Sequence, residues 1–180
     1  KAGFPIFPLN WNDPETGDLS EGFKEAGYLP DALINFLSFL GWNPGTEQEI
    51  FSKEELVDAF SLEKVNKAGT KFDIDKIKWF NQQYLKNKDA SDFASFIQSD
   101  LKDQFGIDCS DEDAAAIFHL LKERVTFPQE IAPNALYLFQ NPTEYDEKVT
   151  SKKWDDEAEK AVTLYADALN EKDSISPEEA

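Results

Sequence analysis

The sequence contains no methionine and only one cysteine (Cys109), one histidine (His119) and one arginine (Arg124) among 180 residues. A single thiol cannot close an intramolecular disulfide, and one Cys with one His cannot supply a zinc site of ordinary composition. This usage suits a reducing cytoplasm. No apolar run approaches the roughly twenty residues that span a bilayer, and no charged segment precedes a signal-like apolar core, so neither membrane insertion nor secretion is indicated. Basic residues are scarce: 18 Lys and Arg face 36 Asp and Glu, a formal charge of −18. As an average, that charge argues against wrapping nucleic acid or adhering to anionic lipid. Against these absences stand fifteen Phe and four Trp, with 41% hydrophobic residues, which mark a folding chain rather than an acidic tail. The length fits one domain or two small ones and excludes a large multi-domain enzyme.

Both ends lead us to expect an excised piece. The chain opens on Lys1 with an apolar stretch broken at Pro5 and Pro8. Ser176-Pro177-Glu178-Glu179 carries a serine cap, a first-turn proline and a glutamate, the signals of a helix that would lie beyond Ala180. A frayed natural terminus is the alternative.

Turn formers crowd residues 10–30 and predict an irregular or short-stranded loop. Helical patterns follow. Residues 31–40 are apolar nearly all round, as for a buried helix ended at Gly41, and Ser52-Lys53-Glu54-Glu55 forms a capping box for a second helix. Asp73 can cap a third, with Ile74, Ile77, Lys78, Phe80, Asn81 and Tyr84 at helical spacing and Trp79 beside them. A fourth carries Phe93, Phe96, Ile97 and Leu101 and closes at Gly106. A fifth opens at Ser110 with an acidic first turn and runs out near Arg124. Pro133 is expected to interrupt a turn begun at Pro128, Leu136–Phe139 supplies a short apolar patch, and Trp154, Ala158, Ala161, Val162, Tyr165 and Leu169 mark one long amphipathic helix. The expected class is all-α, an irregular or orthogonal helical bundle in two subdomains that meet near residue 88.

Chemistry is sparse. Pairs such as Asp155-Asp156, or Asp111 with Asp113, read as solvated faces in so acidic a chain. A calcium loop starting at Asp108 fails because Asp113 stands where glycine must turn the chain. His119 reads as a half-buried structural residue, and Cys109 has no nearby cationic cluster. No nucleophile with a partner, no phosphate-cradling loop and no ligand cluster is found, so the chain alone is expected to catalyse nothing.

The lysines carry the positive signal. Residues 64–88 hold seven lysines (64, 67, 71, 76, 78, 86 and 88) against Asp73 and Asp75, a net +5, leaving the other 155 residues at −23. A basic stripe on an acidic body is the footprint of a protein that touches a polyanion with one face; a solubilising helix face explains the composition equally well. Arg124 admits two readings as well. It is either a guanidinium kept for planar recognition of a base edge or a contact to the carbonyls at a helix end.

Gly27-Tyr28-Leu29-Pro30-Asp31-Ala32-Leu33-Ile34-Asn35-Phe36-Leu37, then Leu40-Gly41-Trp42, closely resembles a stretch of bacterial glutamyl-tRNA synthetase. The resemblance continues through Phe51-Ser52-Lys53-Glu54-Glu55-Leu56, Phe60-Ser61-Leu62-Glu63-Lys64-Val65 and Phe72-Asp73-Ile74-Asp75-Lys76-Ile77-Lys78-Trp79-Phe80-Asn81-Gln82-Gln83-Tyr84. It is specific over 27–86 and looser over 90–175, where Leu120-Leu121-Lys122-Glu123-Arg124 and Tyr137-Leu138-Phe139 match best. It implies an irregular segment at 1–26, a stem-contact domain at 27–88 and a truncated anticodon-binding subdomain at 89–180. Neither the His-Ile-Gly-His nor the Lys-Met-Ser-Lys-Ser type of motif is present, so ATP and magnesium belong to the parent enzyme and no cofactor to this piece.

Carried over by position, the resemblance makes Lys76 and Trp79 stem contacts and makes Arg124 the reader of the third anticodon base. That base is cytosine in glutamate tRNA and guanine in glutamine tRNA, so Arg124 implies charging of glutamate tRNA only. Lys64, Lys67, Lys71, Lys78 and Lys86 are offered as phosphate contacts from charge alone. A cytoplasmic monomer that binds tRNA, with no DNA or membrane partner, is expected. The rival reading is an acidic helical protein-interaction module without a nucleic-acid role, and an independent hydrolase ranks far behind both.

Overall fold

Side-chain caps start five of the α-helices among the described residues. In a computed structural model of the chain, residues 4–66 and 69–171 are described. Lys67 and the Ser176–Glu179 signal lie outside them. The turn-rich opening forms a two-residue antiparallel hairpin, β1 (Trp11–Asn12) with β2 (Leu19–Ser20), in register Trp11 with Ser20. Eight α-helices follow among the described residues, so the class is all-α. The chain separates into two compact units, Lys1–Phe139 and Gln140–Ala180.

In the first unit α1 (Pro30–Phe39) packs on α3 (Ile74–Lys86), with α2 (Lys53–Ala59) against α1. Ser52 and Glu55 close the capping box of α2: Ser52 Oγ accepts from the Glu55 N–H at 3.1 Å, and Glu55 Oε2 accepts from the Ser52 N–H at 2.7 Å. Asp73 Oδ1 accepts the N–H groups of Asp75 and Lys76, both at 3.0 Å, and so starts α3. Ala32, Phe36, Ile77, Phe80 and Tyr84 form the core between α1 and α3. Each fully buried ring contributes about 1.5–3 kcal/mol.

A second core joins α4 (Ala94–Phe105), α5 (Asp111–Leu121) and α6 (Ile131–Ala135) through Ile97, Leu101, Phe118 and Ile131. Leu85, from the end of α3, belongs to this second core, while Leu29 touches both. Gly106, at φ +70°, ends α4 in the left-handed conformation that an L side chain resists.

Several sequence expectations are revised. Only Ala32, Asn35 and Phe36 of α1 are buried, while Ile34 and Leu37 are each 47% exposed, so that helix has a wet apolar side. Lys78 and Phe96 stand out of the stripes in which their spacing put them. Pro133 does not interrupt α6; it occupies the first turn, where no intrahelical N–H bond is required. In the second unit the single long helix is two, α7 (Glu147–Lys153) and α8 (Asp156–Asn170), because Asp155 caps a fresh start by accepting the Ala158 N–H at 2.9 Å. Neither helix buries a side chain.

Candidate nucleic-acid interface

With Asp73 fixing its start, α3 turns Ile77, Phe80, Asn81, Tyr84 and Leu85 inward. Trp79 is left at the rim, 37% exposed, its ring edge-to-face with the fully buried Phe80 at 5.2 Å. The Lys76 ammonium lies 4.8 Å from the Trp79 ring centroid and 5.5 Å from that of Phe80, and it pairs with Glu49. The indole is therefore braced by an edge-on ring and by a cation over its face, and still leaves apolar surface exposed at the rim. Cation–π contacts of this kind are worth about 0.5–1 kcal/mol at exposed positions.

The compact +5 stripe does not survive folding, because distant carboxylates neutralise much of it. Besides the Lys76–Glu49 pair, Lys86 bonds Glu123 at 3.1 Å and Lys88 bonds Asp31 at 3.0 Å. Lys64 Nζ donates to the Pro44 carbonyl at 3.0 Å. Lys71 and Lys78 are exposed, and neither has an ion pair or hydrogen bond from its ammonium among the described residues. Lys78 follows Lys76 by two positions, about 200° around the helix axis, so the two project to different sides of α3.

Arg124 is exposed on the turn that follows α5. Its backbone N–H donates to the Leu121 carbonyl at 2.8 Å, and its guanidinium has no hydrogen bond or ion pair among the described residues. The reading of Arg124 as a helix-end carbonyl contact is thus not the one the structure adopts. Its neighbours are firmly held: Val125 is buried, Glu130 Oε2 accepts the N–H groups of Thr126 (2.7 Å) and Phe127 (3.1 Å), and Glu123 holds Lys86.

Sequence reasoning placed Asn81 in an apolar stripe without giving it a task. It is fully buried, its Oδ1 accepts from the Leu29 N–H at 2.7 Å, and its Nδ2 donates to the carbonyls of Gly27 (3.2 Å) and Thr126 (2.7 Å). A polar amide among Ile77, Phe80 and Tyr84 was the available signal, because such a group must find partners. Asn35 is its counterpart on α1: Oδ1 takes the Phe51 N–H at 3.0 Å and lies 2.7 Å from the Tyr84 hydroxyl. Burial pushes the Tyr84 phenol up to about 12; a backbone hydrogen bond at Phe51 counteracts this, and Asp31 and Glu55 add to it. Cys109 is raised by desolvation and then by Asp113 and Asp111, which makes its thiol a poor nucleophile at neutral pH. His119 is exposed rather than half-buried.

Residues 16–79 match the family described as tRNA synthetases class I (E and Q), catalytic domain, and residues 74–180 match the family described as anticodon binding domain; the two overlap on α3. Fold and matches together define the class, a helical region of the class I aminoacyl-tRNA synthetase kind. The chain belongs to the anticodon-binding domain family, and its relatives are glutamate–tRNA ligases. It is 49% identical over 177 residues to the glutamate–tRNA ligase of Amoebophilus asiaticus, covering 98% of this chain and 34% of that protein. Against the Porphyromonas gingivalis ligase the identity is 43% over 178 residues, 99% of this chain and 35% of that one. A crystal structure of a glutamate tRNA ligase from Elizabethkingia meningosepticum in complex with its amino acid superposes with a TM-score of 0.85 at 40% identity, over 96% of this chain and 34% of that one. The chain thus spans about a third of the length of the curated relatives it matches. No helix among the described residues is long and apolar enough to cross a membrane.

Proposed function

We propose that this chain is the tRNA-contacting part of a glutamate–tRNA ligase. Residues 27–88 form its stem-contact domain and 89–180 its anticodon-binding subdomain. The observation that carries the reading is the anticodon-binding match over 74–180. Trp79 offers its exposed indole to the inner side of the tRNA, and Lys76 contacts the stem beside it once a phosphate competes with Glu49. Lys71 and Lys78 are the ammonium groups available for phosphate; Lys64 first has to leave the Pro44 carbonyl, Lys67 belongs to the same basic segment, and Lys86, offered from charge alone, is committed to Glu123. Arg124 reads the third anticodon base, and a free guanidinium on a firmly held turn suits a bidentate contact to a base edge.

ATP and magnesium act elsewhere in the ligase, in the cytoplasm, with the enzyme a monomer charging glutamate tRNA only. No residue of this chain is assigned to either cofactor. Remote binding energy from stem and anticodon would orient the acceptor end for the reaction and make charging depend on the correct tRNA.

Titration of the chain with glutamate tRNA over a salt series tests the reading. Affinity falls steeply with rising salt, and Lys71→Ala and Lys78→Ala each reduce the slope of log K against log salt by about 1. An absence of tRNA binding at low salt would instead support the acidic protein-interaction module.

A further inference from the structure

The turn that carries Arg124 is held to α3 at two points on either side of that residue. Before it, the Glu123 carboxylate pairs with Lys86 at 3.1 Å; after it, the Thr126 carbonyl accepts from the buried Asn81 amide at 2.7 Å. The same amide takes the Leu29 N–H and donates to the Gly27 carbonyl, so its acceptor and both donors are satisfied by three backbone groups from two separate segments. Glu130 fastens the turn from its other end through the Thr126 and Phe127 N–H groups. Between these anchors only the Arg124 side chain is left free.

We propose that Asn81 and Lys86 are positioning residues for third-base reading: α3, the helix that presents Trp79, sets where the Arg124 guanidinium stands. This rests on the reading of Arg124 given above. A guanidinium that must meet two acceptors on one base edge tolerates little displacement, and a turn free to shift would retain affinity while losing its preference between bases. Asn81→Asp separates these effects. The carboxylate still accepts the Leu29 N–H but sets oxygen against the Gly27 and Thr126 carbonyls, releasing the turn from α3.

The test uses the 180-residue chain at low salt with two glutamate tRNA transcripts that differ only in the third anticodon base, C or G, and reads the ratio of their Kd values. The unaltered chain favours C by roughly 5- to 150-fold, and Arg124→Gln brings the ratio close to unity. Asn81→Asp, checked for a cooperative melt, lowers the ratio roughly threefold or more, and the double variant with Arg124→Gln goes no lower than Arg124→Gln alone. Lys86→Ala, at a partly exposed position that does not endanger folding, lowers the ratio by a smaller factor. A merely structural role, or a phosphate contact by Lys86, would weaken both transcripts alike and leave the ratio where it was. Folded Asn81→Asp and Lys86→Ala proteins that keep the full ratio while Arg124→Gln abolishes it overturn the proposal and leave the anticodon reading intact. Should Asn81→Asp not fold, Lys86→Ala decides: a lowered ratio supports the proposal and an unchanged one overturns it. No binding by the unaltered chain, or an Arg124→Gln protein with an undiminished ratio, removes the anticodon reading and the proposal with it.

Discussion

At Gly27 the backbone takes a φ of +88°, and a Cβ there would lie 2.0 Å from the Gln129 Oε1 atom. That amide is not free to swing aside, because its Nε2 donates to the Ala26 carbonyl at 2.8 Å. Gly27→Ala combines a left-handed conformation with a steric conflict and costs about 1–3 kcal/mol, seen as a lower urea midpoint with an unchanged m-value. Tyr84 makes a different prediction. Its phenol titrates near 12 in the folded chain against an ordinary value of 10, so the folded state binds the proton more tightly. The stability this gives is complete below pH 10 and is lost as pH rises from about 10 to 12. Denaturation over that range shows the fall, and Tyr84→Phe makes it shallower, leaving the smaller contribution of Tyr28, whose phenol burial also raises.

The helix starts depend on signals contained within a few residues. Asp73→Ala leaves the Asp75 and Lys76 N–H groups without their acceptor and lowers stability by about 1 kcal/mol, measurable as a shift in the urea midpoint. Such caps were legible because a serine or aspartate and the N–H groups it serves are neighbours in sequence; Ser52, Asp73, Ser110 and Gly106 all stand where the sequence placed them. Illegible features needed partners from elsewhere in the chain. The lysines at 76, 86 and 88 looked like an open stripe until Glu49, Glu123 and Asp31 arrived from other segments. Pro133 looked like a breaker because the position of the first helical turn is decided by packing of Ile131, Ala132 and Ala135. Among candidate site residues, the spacing around Trp79 and the singularity of Arg124 were visible in the sequence. The bonds of Asn81 to Gly27, Leu29 and Thr126 were not.

On the scale of the whole chain, both large cores lie before residue 140, whereas α7 and α8 bury no side chain and expose Trp154, Val162, Leu164 and Tyr165. A chain ending at Phe139 is expected to unfold within about 0.5 kcal/mol of the full one, by urea denaturation followed through the tryptophan signal. The net charge of −18 makes any polyanion contact dependent on the few ammonium groups left uncommitted, and hence on ionic strength. The Asn81 junction follows another rule. Its hydrogen bonds join neutral groups around a fully buried amide, so they give counterions little to shield and neutral buffers nothing to protonate, whereas the Lys86–Glu123 pair beside it is open to screening. On the proposed reading, grip and discernment respond unequally to salt: raising ionic strength loosens the hold on a tRNA more than it blurs the choice between bases, which the neutral Asn81 bonds preserve.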